Sequence, residues 1–182
     1  MGVPSYFAYL IRNHKEMLIK LVGFKKQINN LYFDSNSIIY DALRILSKDY
    51  EKFKNDDIFE NELIKMVCLN IENYIYEINP DKKILIAFDG VAPTAKLEQQ
   101  RTRRHKSMLE KKIMNHIDGE ILSWNKTAIT PGTLFMDKLN TRIDKYFYGQ
   151  EKKYGVEKII FSGSDKPGEG EHKLFHYIRE NK

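Results

Sequence analysis

Three short apolar runs, each closed by acidic and turn-forming residues, punctuate a chain whose other hydrophobic positions recur at helical spacing. The first, Asn30–Phe33, ends in Asp34-Ser35-Asn36. The second, Lys83–Phe88 (KILIAF), closes on Asp89-Gly90, and the third, Lys158–Phe161 (KIIF), opens into the polar loop Ser162–Gly170 (SGSDKPGEG). Each reads as a β-strand. KILIAF is apolar without alternation, the pattern of a strand covered on both faces, as in a parallel sheet.

Helical periodicity fills the intervals. Pro4 suits a helix start, and Tyr6, Phe7, Leu10 and Ile11 then share one face. Glu16–Val22 reads as a second short helical piece. After the first strand, Asn36 or Ser37 is placed to cap a helix that buries Ile38, Ile39, Ala42, Leu43, Ile45 and Leu46. Asp49–Asp57 is charged and exposed. A long helix spans Ile58–Ile78 and ends at Asn79-Pro80. A basic helix runs over Pro93–His116, and Ile117–Thr130 is irregular. Thr130-Pro131 marks the start of a helix reaching Tyr154, and Glu171–Arg179 forms the last one.

Strands alternating with helices predict an α/β fold with a parallel-sheet core flanked by helices. Ligands bind such sheets outside the carboxyl ends of the strands. Each of the three strand ends delivers acids: Asp34, then Asp89, then Glu169 and Glu171. Each alone also fits a turn acid or a helix-start acid; three sites converging on one edge weigh against that reading.

Composition narrows the partners. A length of 182 residues fits one domain, 1–182, with a substantial core. No apolar run approaches the roughly 20 residues of a membrane span, and no membrane partner is expected. The start MGVPSYFAYL lacks a basic region and a clean apolar core, and Tyr6 breaks a myristoylation pattern. The single cysteine, Cys68, excludes a disulfide scaffold and fits a reducing compartment, the cytoplasm with the nucleus as alternative. The formal charge is +5, and Lys96–Lys112 alone carries seven Lys or Arg against two Glu. On a helical wheel, Lys96, Gln100, Arg103, Arg104, Ser107 and Lys111 form one stripe about 100° wide. Solvated faces usually mix signs at i,i+4; this one is nearly all positive and points to an anionic partner, nucleic acid first and a membrane surface second. Arg103 and Arg104 suit a forked grip on a terminal phosphate, and Lys96 adds a point charge.

Clustered carboxylates without a His or Cys cluster select a hard cation, Mg²⁺ or Mn²⁺. Paired hard ions, about 4 Å apart, activate water and stabilise a leaving oxygen in phosphodiester hydrolysis.

Several stretches carry a resemblance: MGVPSYF at the start, LYFDSNSIIY at 31–40, FDGVAPTAKLEQQRTRR at 88–104, ITPGTLFM at 129–136 and SGSDKPGEGEHK at 162–173. In this order they resemble the N-terminal part of the Xrn-type 5′→3′ exoribonucleases. The resemblance implies the α/β core shared by PIN-like and flap-type nucleases. It implies that Asp34, Asp89, Glu169 and Glu171 are metal-binding and catalytic acids, and that Lys96, Gln100, Arg103 and Arg104 hold a 5′-monophosphate too tightly enclosed for a cap or triphosphate. The implied activity is Mg²⁺-dependent (or Mn²⁺-dependent) processive hydrolysis of single-stranded, 5′-monophosphorylated RNA.

Two departures accompany it. Tyr40 stands where the family usually has histidine near the first nucleotide; tyrosine still stacks on a base. The family's further metal-binding aspartates, and a later base-sandwiching aromatic, come from beyond the GEGEH motif, whereas this sequence stops at Lys182. Three expectations therefore stand together: a 5′→3′ exoribonuclease, a non-catalytic module binding 5′-phosphorylated RNA ends, and one piece of a split nuclease completed by a second chain.

Overall fold

In the computed structural model, which describes residues 5–17, 27–118 and 123–181, strands β1 (Asn30–Asp34), β2 (Lys83–Ala87) and β3 (Lys158–Ser162) form one parallel sheet ordered β1-β2-β3. Asn30 pairs with Lys83, and Lys83 with Lys158, so the three strands end level with one another. β2 is the central strand. Ile84, Leu85, Ile86 and Ala87 are all buried, which is why KILIAF shows no alternation. The helices are α1 (Tyr6–Asn13), α2 (Asn36–Leu46), α3 (Asp56–Ile78), α4 (Thr94–Asp118), α5 (Leu134–Phe147), α6 (Glu151–Tyr154) and α7 (Gly170–Glu180). The parallel-sheet α/β expectation holds. Pro4 and most of Glu16–Val22 lie outside the described residues; Lys15–Met17 is a short 3₁₀ turn.

One face of the sheet carries the main core. Phe33, Ile84, Ile86 and Phe88 meet Ile39 and Leu43 of α2, Phe59, Leu63, Val67 and Ile71 of α3, and Phe135, Leu139 and Ile143 of α5, with Trp124 packed against Phe59 and Phe135. The other face, bearing Tyr32 and Leu85, is covered by α7, where Tyr32 and Tyr177 stack edge to face. Among the described residues, no helix is long and apolar enough to cross a membrane.

Three helix ends differ from expectation for local reasons. Thr130-Pro131 does not start a helix: the Thr133 N–H donates to the Thr130 carbonyl at 3.2 Å, and Gly132 has φ +85°. Pro then Gly in this arrangement is a type II turn. α5 begins after it, where Thr133 Oγ1 accepts from the Met136 N–H. The expected continuous helix to Tyr154 is broken at Gly149, with φ +70°, into α5 and α6. Likewise neither Asn36 nor Ser37 caps α2; Ser35 holds the boundary with backbone bonds alone, and Asn36 has another task.

A polar knot secures α6 to the core. Buried Glu72 of α3 accepts from Tyr146 Oη at 2.8 Å, Tyr154 Oη at 2.7 Å and Lys153 Nζ at 2.6 Å. Burial by itself raises the Glu72 pKa, but these donors outweigh it and hold the carboxyl below its usual range. A depressed folded pKa contributes stability above the unfolded value, and that contribution is lost as pH falls through the folded one. Glu72→Gln, which mimics the protonated acid, is expected to lose roughly 2 kcal/mol at pH 7. The gap to wild type should close as pH drops below about 4, read by urea denaturation across pH.

Candidate active site and nucleic-acid cleft

Because the strands end level, their following residues meet. Asp34 is the last residue of β1, Asp89 lies just past β2, and Glu169 and Glu171 bracket the first residue of α7. Gly170 lies at the centre. Its N–H donates to Asp89 Oδ1 at 2.7 Å. A Cβ built on it would stand 2.3 Å from Asp34 Oδ1 and 3.4 Å from Asp89 Oδ1, so both carboxylates close on one backbone point that admits no side chain. Asp89 is also clamped by Asn36: Nδ2 donates to Asp89 Oδ2 at 2.8 Å, and the Asp89 N–H donates to Asn36 Oδ1 at 3.0 Å. This two-point clamp is the task that takes Asn36 away from capping.

The electrostatics follow from crowding. Burial raises the Asp34 pKa above its ordinary value, and the charges of Asp89, Glu171 and Glu169 raise it further, while Lys96 opposes them. Glu169 is buried, and Lys96 Nζ reaches both of its oxygens, at 2.6 and 2.7 Å. Oxygen donors crowded against the Asp34 carboxyl in this way fit a hard divalent cation, which relieves the charge repulsion. His172, one of five scattered histidines in sequence, adds to the α7 side of the site: Glu169, Glu171 and His172 offer ligand atoms within 4.8 Å of one another, a group that does not include Asp34 or Asp89.

Lys173, in the same helix turn, is a support that sequence reading passes over. Its ammonium donates to the Phe88 and Gly163 carbonyls, each at 2.7 Å, just past the ends of β2 and β3. Burial lowers its pKa, with Asp165 and Asp89 pulling the other way. Lys173 thereby ties α7 to both strand ends.

A cleft of about 390 Å³ opens beside Asp89 and Asn36. Gln100, Arg103 and Arg104 of α4 line it together with Tyr40 of α2. α4 leaves the sheet edge directly after the Asp89–Pro93 turn, which is how its cationic stripe comes to face the acids. Ser107 lines the same cleft. Lys126, Thr127 and Thr130, in a stretch read from sequence only as irregular, also line it. Lys96 is one turn nearer the acids and is engaged by Glu169 rather than facing the cleft.

Comparison with known proteins gives this arrangement its relatives. The family described as "XRN 5'-3' exonuclease N-terminus" matches residues 1–182. The chain is 34% identical to 5′-3′ exoribonuclease 1 of Saccharomyces cerevisiae, covering 100% of this chain and 12% of that protein. It is 35% identical to 5′-3′ exoribonuclease 1 of Homo sapiens, of which it covers 11%. It is 28% identical to 5′-3′ exoribonuclease 2 of Kluyveromyces lactis, of which it covers 22%. The chain thus spans between about a tenth and a quarter of the length of these curated relatives. With the match running over all the residues that build the acid cluster and the cleft, the chain belongs to the XRN 5′-3′ exonuclease family.

Proposed function

We propose that this chain binds the 5′-monophosphorylated end of single-stranded RNA and removes nucleotides in the 5′→3′ direction, with Mg²⁺ or Mn²⁺ held by Asp34, Asp89, Glu169 and Glu171. The observation that carries this reading is the continuity of the cleft, which joins Asp89 and Asn36 to Gln100, Arg103 and Arg104. An acid cluster beside a comb of cations suits a phosphodiester whose terminal phosphate is gripped a short distance from the reacting bond.

Arg103 and Arg104 fork the terminal phosphate oxygens, and Gln100 adds amide donors. Tyr40, 45% exposed, offers its ring to the first base. In hydrolysis, water oxygen bonds to phosphorus, the P–O3′ bond breaks, and O3′ leaves with a proton. The released unit is a nucleoside 5′-monophosphate, and the shortened RNA keeps a 5′-monophosphate. Each product end is therefore the next substrate, which suits processive action. Asp34, Asp89, Glu169 and Glu171 would hold the divalent cation, which would supply charge neutralisation for the reacting phosphodiester. Asn36 and the Gly170 N–H hold Asp89 in position for it.

The test is decay of 5′-monophosphorylated against 5′-hydroxyl RNA, with Mg²⁺ and with EDTA. Wild type should prefer the monophosphate and need the cation. Arg103→Ala with Arg104→Ala should shrink that preference by roughly 10- to 100-fold, the worth of lost charge-assisted hydrogen bonds. An unchanged preference would make the stripe a general electrostatic surface. Selective binding without decay would leave an end-binding module in place of a nuclease.

A further inference from the structure

Glu169 and Lys96 link the acid cluster to the cationic stripe through one ion pair. Glu169 is 5% exposed, and a buried carboxylate left without a partner is strongly disfavoured. Both of its oxygens are taken by a single ammonium. A divalent ion that binds Glu169 must share those oxygens with Lys96 or displace it. The Lys96 side chain is 34% exposed and sits on a flexible four-carbon stem, so release does not require the fold to open. Gln100 and Arg103 follow on the same face of α4, about one and two turns on. A released Lys96 therefore extends the cleft's cationic wall by one turn toward the acids.

We propose that Lys96 is a cation shared between the two halves of the site: it pairs with Glu169 until a divalent ion takes that carboxylate, and then serves the RNA 5′-phosphate, so that ion and RNA end bind with positive coupling. This rests on the reading of the cleft as a 5′-phosphate site. Lys96 is a positioning residue with two alternative partners. Linkage makes the effect reciprocal: whatever factor the ion adds to phosphate binding, the phosphate adds to ion binding.

The experiment uses the whole chain as wild type, Lys96→Gln and Lys96→Arg, with thermal melting to confirm folding. Mn²⁺ affinity is read from the free-ion electron paramagnetic resonance signal. RNA affinity is read by fluorescence anisotropy, with Mn²⁺ and with EDTA. The probes are oligoribonucleotides whose first nucleotide is 2′-O-methylated and followed by a methylphosphonate linkage that resists hydrolysis, with either a 5′-monophosphate or a 5′-hydroxyl. In wild type, Mn²⁺ should strengthen binding of the monophosphate probe about 5- to 20-fold beyond its effect on the hydroxyl probe, within the usual range of coupling. Lys96→Gln should bind Mn²⁺ alone more tightly than wild type and lose that extra factor; Lys96→Arg should keep it. Weaker Mn²⁺ binding by Lys96→Gln, or an undiminished extra factor, overturns the proposal while the cleft reading stands. If wild type shows no monophosphate preference in either condition, the cleft reading itself fails and takes the proposal with it.

Discussion

Gly90→Ala is expected to destabilise the protein by about 3 kcal/mol or more, lowering Tm by roughly 6–12 °C for a chain of this size. The cause is space, not backbone conformation. A Cβ at residue 90 would stand 1.7 Å from the Lys166 carbonyl oxygen and 2.8 Å from its carbon. Neither is the end of a flexible side chain. The Gly90 N–H donates to the Gly168 carbonyl at 2.8 Å, and the Gly168 N–H donates to the Val91 carbonyl at 3.0 Å. These two bonds knit the loop after β2 to the loop after β3. Accommodating one methyl group means separating the loops and breaking both bonds, at a cost of about 1–3 kcal/mol for each group left unpaired. Against a total stability of about 5–15 kcal/mol that is a large fraction. Glu169 follows Gly168 directly, so the acid cluster should loosen with the fold. Gly149→Ala is the control: its φ of +70° makes alanine strained, but nothing lies within 4 Å of a new Cβ. It should cost only the roughly 1–2 kcal/mol of left-handed backbone. Thermal melting of both variants separates overlap from strain; equal losses would refute the overlap account.

The sheet was legible because burial on both faces leaves a plain signature. KILIAF has no polar position after Lys83, and in the structure it is the central strand with its last four residues buried. The alternation of strands with helices fixed the parallel order, and the strand-end acids followed from it. What stayed hidden depends on tertiary contacts. Asn36 reads as a cap because caps are local, yet its amide bonds to Asp89, 53 positions away. His172 is the exception: it directly follows Glu171, and the local turn into α7 sets it beside Glu169 and Glu171 although a lone histidine carries no periodic signal. Lys126 and Thr127 sit in a stretch without periodicity, and only folding brings them to the same cleft as α4. Pro131 misled for a local reason: Pro starts helices and also starts type II turns, and Gly132 was the residue that decides between them. On Lys96, sequence spacing gives the helix face but not the partner. Its place in the stripe suggests phosphate, and the structure sets it on Glu169.

Asp89→Ala is expected to reduce hydrolysis of 5′-monophosphorylated RNA by roughly 100-fold or more, on the proposed reading of the site. Loss of a group that merely orients a metal ligand typically costs about 10- to 100-fold, and Asp89 is placed to be a ligand itself. Both of its oxygens accept hydrogen bonds, Oδ1 from the Gly170 N–H at 2.7 Å and Oδ2 from Asn36 Nδ2 at 2.8 Å. Asparagine is therefore no conservative replacement: whichever way its amide turns, an NH₂ group faces a donor. Asp89→Asn should lose activity to a similar degree and gain no stability from its matching shape. Arg103 and Arg104 stand on a different element, α4, and the Asp89 carboxylate bonds to Asn36 and Gly170 rather than to either of them. Affinity for 5′-monophosphorylated RNA in EDTA should consequently stay within about threefold of wild type, a change below roughly 0.7 kcal/mol. The two readouts divide the site into a reacting half and a gripping half. Hydrolysis that survives in Asp89→Ala would remove Asp89 from the reacting half. Binding that collapses in parallel would mean that the two halves form one cooperative unit, tied through the turn from Asp89 into α4.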